Sequence, residues 1–189
     1  MSGFWEALAV LAVAVNPASL IATVSEGRAD GRAPSSPGPY AAGWALALLC
    51  AFAAAVNAGE LLQALDVPVE SFRLTPGAVL LAEGLQGVWR GRSVGITLPR
   101  RAWEWSIHPI ALPGLLGPAT LASVLLLAAE NEPGRWPTIL AYGFVTAAAA
   151  AAAWAAQRPF PLWRSLAQLT GTLQVSLGVA FVVAGIHAI

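Results

Sequence analysis

The fold is decided by residues 4–25, FWEALAVLAVAVNPASLIATVS, an apolar stretch interrupted at its centre by Asn16-Pro17. A helix that crosses a bilayer needs about 20 mostly apolar residues, and this stretch is long enough. A signal peptide would begin with positive charge, whereas the first charged residue here is Glu6. We therefore expect an uncleaved first membrane span that is broken in its middle.

Five further apolar stretches follow at residues 41–63, 72–89, 107–129, 137–156 and 165–187. Of all residues, 57% are hydrophobic and only 11% are charged, whereas a soluble domain carries about 25% charged residues. We predict an all-α membrane protein with six transmembrane helices. Because no linker is long enough to fold alone, residues 1–189 should form a single membrane domain.

The composition excludes several classes of function. Ten arginines balance ten acidic residues without any basic run, which argues against a nucleic-acid partner. Cys50 is the only cysteine, and His108 and His187 are far apart in sequence, so neither a disulfide within the chain nor a metal site is expected. The sequence contains no recognisable enzyme motif. We therefore expect a protein that is not an enzyme and has no cofactor.

The arginines are unequally divided between the two sides of the predicted membrane domain. Short loops rich in arginine stay in the cytoplasm, so we expect both termini to face outward. The loops after the first, third and fifth spans contain Arg28, Arg32, Arg90, Arg92, Arg100, Arg101, Arg158 and Arg164. Only Arg73 and Arg135 belong to the opposite side.

A short motif recurs in the two halves of the chain. Residues 16–20, NPASL, and residues 117–121, GPATL, share the order of break, small residue, hydroxyl and leucine. The third span of each half also carries two glycines seven positions apart. These are Gly77 and Gly84 in one half and Gly171 and Gly178 in the other.

The repeat predicts a particular architecture. Each half, residues 1–89 and residues 107–189, has three spans, so the halves must enter the membrane from opposite sides. A cytoplasmic linker, residues 90–106, would join them. Such inverted-topology repeats are typical of secondary transporters, whose substrate site lies near the membrane midplane between the repeats. Helices one and four would be the broken ones.

The breaks offer binding chemistry. Proline pushes the residue before it away from helical angles, so Asn16 and Gly117 should each end an incoming segment. Pro17 and Pro118 then occupy the first position of a new half-helix, which Asn16 could cap. In hydrocarbon such a break must face protein or a water-filled cavity, and the amides and dipole of each half-helix attract an anion such as a carboxylate.

Hydroxyl side chains lie within about two turns of both breaks. Ser19 and Thr23 follow the first break, and Thr120 and Ser123 follow the second. We interpret them, together with the break residues, as candidate substrate ligands. The alternative is that the prolines only kink helices and the hydroxyls bond to carbonyls of their own helix.

Two charged residues fall within the third span. Glu83 lies at its middle, and ionisable groups inside a membrane are often functional; it could carry a coupling proton, pair with an arginine or line a wet groove. Arg73 lies near the outer end of the span, where it could bind a substrate carboxylate or extend to the membrane surface.

Several blocks of sequence follow one family pattern. They are Asn16-Pro17 before small residues, Phe72-Arg73-Leu74 with Gly77, residues 109–118 with their three prolines, and residues 171–186 with the final Gly185-Ile186. Together these blocks resemble the MarC family, which belongs to the LysE-like transporter superfamily. The resemblance covers most of the chain and is weakest in the second and fifth spans.

The resemblance implies a six-helix protein of the bacterial inner membrane. Members of the SnatA type transport small neutral amino acids. This chain departs from the family pattern at Pro76, where glycine is usual, and at Gln86, where an acid is usual. Ala180 and Ala184 replace a polar pair in the last span. Any ion coupling that depends on an acid at position 86 would therefore be lost.

The leading hypothesis is a secondary transporter of small amphipathic solutes, above all neutral amino acids such as glycine or alanine. The substrate carboxylate would bind at the two half-helix N-termini, with Arg73 as an assisting cation. One alternative is a lipid or polyprenyl-phosphate carrier, and another is a non-transporting membrane scaffold. The sequence leaves the substrate, the coupling ion, the direction of transport and the oligomeric state open, a homo-oligomer included.

Overall fold

The computed structural model describes residues 2–90, 98–99, 101–131, 135–156 and 162–188. Residues 91–97 and residue 100 of the predicted cytoplasmic linker therefore lie outside the described residues. The same holds for Arg92, Arg100 and Arg158, which contribute to the predicted orientation.

The described residues form an all-helical fold without strands, which confirms the predicted class. The segment Ser106–Leu115 winds in wider turns than an α-helix and is interrupted by extended backbone at His108 and Leu112. In chain order the helices are α1 (Ser2–Val15), α2 (Pro17–Ala29), α3 (Gly38–Val56), α4 (Ala58–Ala64), α5 (Val69–Phe72), α6 (Leu74–Arg90), α7 (Ala102–Trp105), α8 (Pro118–Glu130), α9 (Trp136–Ala155) and α10 (Leu162–His187).

Several of these helices could cross a membrane. By length and composition, four stretches qualify: Gly3–Ala29, Gly38–Val56, Trp136–Ala155 and Leu162–His187. Ala102–Leu115 and Pro118–Glu130 form a fifth candidate, bent by 59° at its break. The predicted third span corresponds to α6, which has 17 residues and is slightly shorter than a span usually needs. The chain thus has four to five candidate spans, as in a multi-pass membrane protein.

Contacts between distant residues mark the two ends of the bundle. At one end, Gly3 lies beside the side chain of Asn131. At the other end of the same span, Arg28 donates hydrogen bonds of 2.7 Å to the Trp154 carbonyl and 2.9 Å to the Ala156 carbonyl. A cation at the C-terminus of α9 complements the helix dipole. The first and fifth predicted spans therefore end on the same side, as the predicted topology requires.

The half-helices α2 and α8 lie at the centre of the bundle. In α2, every residue from Ala18 to Ser25 is buried. In α8, Ala119 and Thr120 are buried, as are most residues of the two turns that follow. A helix segment that is buried on nearly all sides is surrounded by other helices. The segments that follow the two breaks are therefore largely internal, although Pro118 at the start of α8 is exposed.

Helices α6 and α10 pack closely through paired glycines. A methyl group added to Gly84 would stand 2.7 Å from the carbonyl oxygen of Gly171. A methyl group added to Gly178 would stand 2.8 Å from the carbonyl oxygen of Gly77. Any side chain at these positions would collide with backbone, so glycine is what permits the two helices to approach. The pairing order shows that the two helices run antiparallel.

Candidate functional site

The first break is organised by Asn16. Its backbone has φ 49° and ψ 66°, the left-handed conformation, which asparagine tolerates better than most residues. Its side-chain oxygen accepts a hydrogen bond of 3.2 Å from the Ser19 amide in the first turn of α2. The predicted N-cap is confirmed, and a single residue both turns the chain and caps the half-helix.

Helix α10 holds Asn16 in place from the other half of the chain. The side-chain nitrogen Nδ2 of Asn16 donates to Gln174 Oε1 at 3.3 Å. Thr170 Oγ1 donates to the Asn16 side-chain oxygen at 2.5 Å. All three groups are neutral, so the first break is bordered by uncharged donors and acceptors.

The carbonyl end of α1 is also satisfied by side chains. The Ala14 carbonyl accepts hydrogen bonds from Gln174 Nε2 at 3.3 Å and from Thr120 Oγ1 at 3.2 Å. Helix breaks free such carbonyls, and burial without a partner would be costly. Thr120 therefore links the second break to the first, because its hydroxyl serves the end of α1.

The second break is organised by a carboxylate. Gly117, with φ −78° and ψ 170°, precedes Pro118 at the first position of α8. Glu83 of α6 accepts a hydrogen bond of 3.1 Å from the Ala119 amide. An anion at a helix N-terminus is stabilised by the dipole and by the amide groups there. Glu83 thus occupies, from within the chain, the place that an external carboxylate would be expected to take.

Both breaks open into one cavity of about 620 Å³. Val15, Leu20 and Val79 contribute apolar wall. The polar lining includes Asn16, Ser19, Glu83, Gln86, Thr120 and Gln174. Cavities of roughly 300 to 1,000 Å³ with a mainly apolar wall and a few polar groups are typical small-molecule binding sites.

The structure brings together some of the predicted ligands and separates others. Asn16, Ser19, Glu83, Gly117, Pro118 and Thr120 line the cavity. Pro17, Thr23 and Ser123 are not among its lining residues. The Thr23 hydroxyl donates to the Ser19 carbonyl at 2.9 Å, as the kinked-helix alternative expects for such hydroxyls. Ser123 is fully buried in α8, away from the cavity wall.

Arg73 lies in a different place. Its Nε is 2.6 Å from Glu130 Oε1, and the two side chains remain partly exposed. Both belong to a second pocket of about 470 Å³ that also includes Glu6 and Glu70. This pocket contains Gly3 and so lies at the end of the bundle near the N-terminus. The structure therefore does not place Arg73 where it could assist a ligand in the central cavity.

Other cavity residues are not among the predicted site residues. Gln174 bonds to the neighbouring helix α1 and also lines the cavity. Gln86 and His108 line the wall as well. The sequence feature that could have pointed to His108 is the pair Pro109 and Pro113, which interrupts the segment before α8. Among the described residues, no group of three or more His, Cys, Asp or Glu side chains could hold a metal ion.

An apolar groove adjoins the cavity. It has a volume of about 440 Å³ and shares His108, Pro113, Gly117 and Pro118 with the cavity wall. The remaining groove residues are Leu112, Leu116 and Leu121. Two of them are on the surface, because Leu112 is 45% exposed and Leu121 is 36% exposed. The cavity thus borders the apolar surface of the bundle beside the second break.

The fold and the cavity together define a helical, multi-pass membrane protein with an internal pocket that is part polar and part apolar. Comparison of the chain with protein-family models, with curated proteins and with solved structures finds no match. The function must therefore be inferred from the chemistry of the cavity.

Proposed function

We propose that this chain is a secondary transporter of small amphipathic solutes, most simply neutral amino acids. The observation that carries the proposal is the shared cavity, because the N-termini of two interrupted helices reach the same pocket at the centre of the bundle. Interrupted helices of this kind form the substrate sites of many transporters, where half-helix N-termini bind anionic groups. We retain the resemblance to the MarC family as part of the proposal, with a bacterial inner-membrane location and both termini outside.

The proposal includes six spans in two inverted repeats. Helix α6 lies antiparallel to α10, with Leu74 beside Gly185 and Gln168 bonded to the Val88 carbonyl. This long side-by-side packing supports α6 as a sixth span despite its length. Its beginning and end both lie alongside α10, which is itself a candidate span.

The glycine pairs support a two-fold relation between the halves. If Gly77 corresponds to Gly171 and Gly84 to Gly178, a two-fold axis between antiparallel helices would pair Gly77 with Gly178 and Gly84 with Gly171. Those are the pairs in contact. In addition, α6 reaches the break of the second half through Glu83, and α10 reaches the break of the first half. Rocking of the halves would therefore alter both breaks together.

The two breaks favour different groups of a substrate. The Ala119 amide at the second break already bonds Glu83, so a substrate carboxylate there would have to displace an internal one. The first break is bordered by neutral Asn16, Ser19 and Gln174 and by the positive end of the α2 dipole. We therefore assign the substrate carboxylate to the first break, and the proposal no longer uses Arg73. The cavity volume also admits neutral amino acids larger than alanine, such as leucine.

The test is flux in proteoliposomes, with labelled alanine and leucine and a panel of other small solutes. Asn16→Gly keeps a residue that tolerates positive φ while removing the cap and the bonds to α10. We expect it to lower flux about tenfold or more, since one lost hydrogen bond to a charged group corresponds to roughly 1.5–3 kcal/mol. Asn57→Ala is the matched control, because Asn57 is exposed and bonds only within its own turn in the contacts described, at the Ala53 carbonyl. Absence of flux for every solute would refute the transporter, and normal flux in Asn16→Gly would refute the site.

A second candidate function is a carrier for lipid or polyprenyl phosphate. The apolar groove favours it, because a headgroup in the cavity and a chain in the groove would be continuous at Gly117 and Pro118. Native mass spectrometry of the purified protein distinguishes the candidates. A lipid that copurifies with wild type and is lost on substitution of Leu121→Glu would favour the carrier. A wild type without bound lipid that still transports amino acids would exclude it.

A further inference from the structure

Glu83 gives the cavity an acidic group that transport of a carboxylate alone does not explain. It is the only acidic side chain among the described residues that line the cavity, and no arginine lines it. Its carboxylate accepts one hydrogen bond from the Ala119 amide. An ionised carboxyl group has about four lone-pair positions, so it retains capacity for further donors on the cavity side.

Helix packing does not require an acid at this position. The two halves can be aligned by matching Gly84 of α6 with Gly178 of α10. In this alignment Glu83 corresponds to Leu177, because each directly precedes the matched glycine. The corresponding position in the other half is thus occupied by leucine. Conversely, Gln174 of α10 corresponds to Leu80 of α6, which is fully buried. The two halves therefore place different polar groups at the cavity, with neutral amides beside one break and a carboxylate beside the other.

We propose that Glu83 binds the cationic ammonium group of the substrate, which makes the cavity selective for zwitterions that carry both an ammonium and a carboxylate. The inference rests on the proposed function and refines it. The substrate would lie with its carboxylate toward the α2 N-terminus and its ammonium toward Glu83, and its apolar side chain would contact Val15, Leu20 and Val79. An ammonium supplies three donors and no acceptor, which matches a carboxylate that already accepts one bond from the protein.

The experiment compares each amino acid with the acid in which a hydroxyl replaces the ammonium. Alanine and lactate form one pair, and leucine and 2-hydroxyisocaproate form another. Equilibrium binding is measured by calorimetry on the full chain in lipid nanodiscs. Wild type should prefer the amino acid by about tenfold or more, the range expected for one charge-assisted hydrogen bond. Glu83→Gln should remove most of this preference, whereas Glu60→Gln, a change at an exposed carboxylate of α4, should keep it.

The outcomes separate the ammonium assignment from the transporter proposal. If wild type binds amino acid and hydroxy acid equally, or if Glu83→Gln keeps the wild-type ratio, the ammonium assignment is wrong while the transporter proposal stands. If Glu83→Gln keeps the ratio but abolishes the pH dependence of flux, Glu83 carries a proton instead. If wild type binds neither compound of either pair, the amino-acid proposal fails as well. Should Glu83→Gln not fold, Glu83→Asp keeps the charge and is expected to keep the preference; loss of preference there overturns the assignment.

Discussion

The glycine contact between α6 and α10 gives the most direct test of the fold around the cavity. We predict that Gly84→Ala separates the two helices. The added methyl group would stand 2.7 Å from the Gly171 carbonyl oxygen and 2.8 Å from the Val175 amide nitrogen. Both are backbone atoms, so no side-chain rotation can relieve the collision. Because Glu83 precedes this glycine, separation would also move the carboxylate that caps α8.

The expected loss of stability follows from two opposing effects. Overpacking in a well-packed core costs about 1–3 kcal/mol, and a collision with two backbone atoms of α10 favours the upper part of that range. Replacing a helical glycine by alanine contributes about 1 kcal/mol in the other direction. We therefore expect Gly84→Ala to lower the free energy of unfolding by about 2 kcal/mol, the difference between these terms.

The measurement is unfolding in detergent micelles, followed by tryptophan fluorescence during titration with a denaturing detergent. Gly143→Ala in α9 is the matched control, because a methyl group there would meet only the end of Leu48 at 3.6 Å, an ordinary contact. It should be as stable as wild type or more so. If Gly84→Ala unfolds at the same point as Gly143→Ala, the close approach of α6 and α10 is not real.

Two further results are expected from variants outside this contact. Arg73→Ala removes an ion pair with Glu130 in which both side chains are partly exposed. It should change the free energy of unfolding by no more than about 1 kcal/mol and leave transport unaltered. A severe loss of transport would mean that Arg73 does contact the substrate. In a Cys50→Ala background, a water-soluble thiol reagent should label Ser19→Cys, which lines the cavity, but not Thr23→Cys one turn deeper in α2; protection of both positions would contradict a water-filled cavity at the first break.

Local sequence features predicted the apolar helices and the two proline breaks, but not the interruption at Asn57 between α3 and α4. Hydropathy and length located each apolar segment, because a spanning helix satisfies its own backbone hydrogen bonds and needs no distant partner. The prolines located both breaks, because the effect of a proline on its helix is also local. Asn16 was correctly predicted as the cap of α2, because its hydrogen bond from the Ser19 amide spans only three residues. Six spans and their inverted relation remain predictions.

The partners of the polar side chains were decided by the tertiary structure. Glu83 caps a helix that begins 35 positions later in the chain, and Arg73 pairs with Glu130 rather than with a ligand. Gln174 and Asn16 are separated by 158 positions. No periodicity or motif encodes such pairs, because they depend on which helix faces lie together. The sequence by itself determined where the chain breaks; only packing decided that both breaks share one cavity and that a carboxylate already occupies one of them.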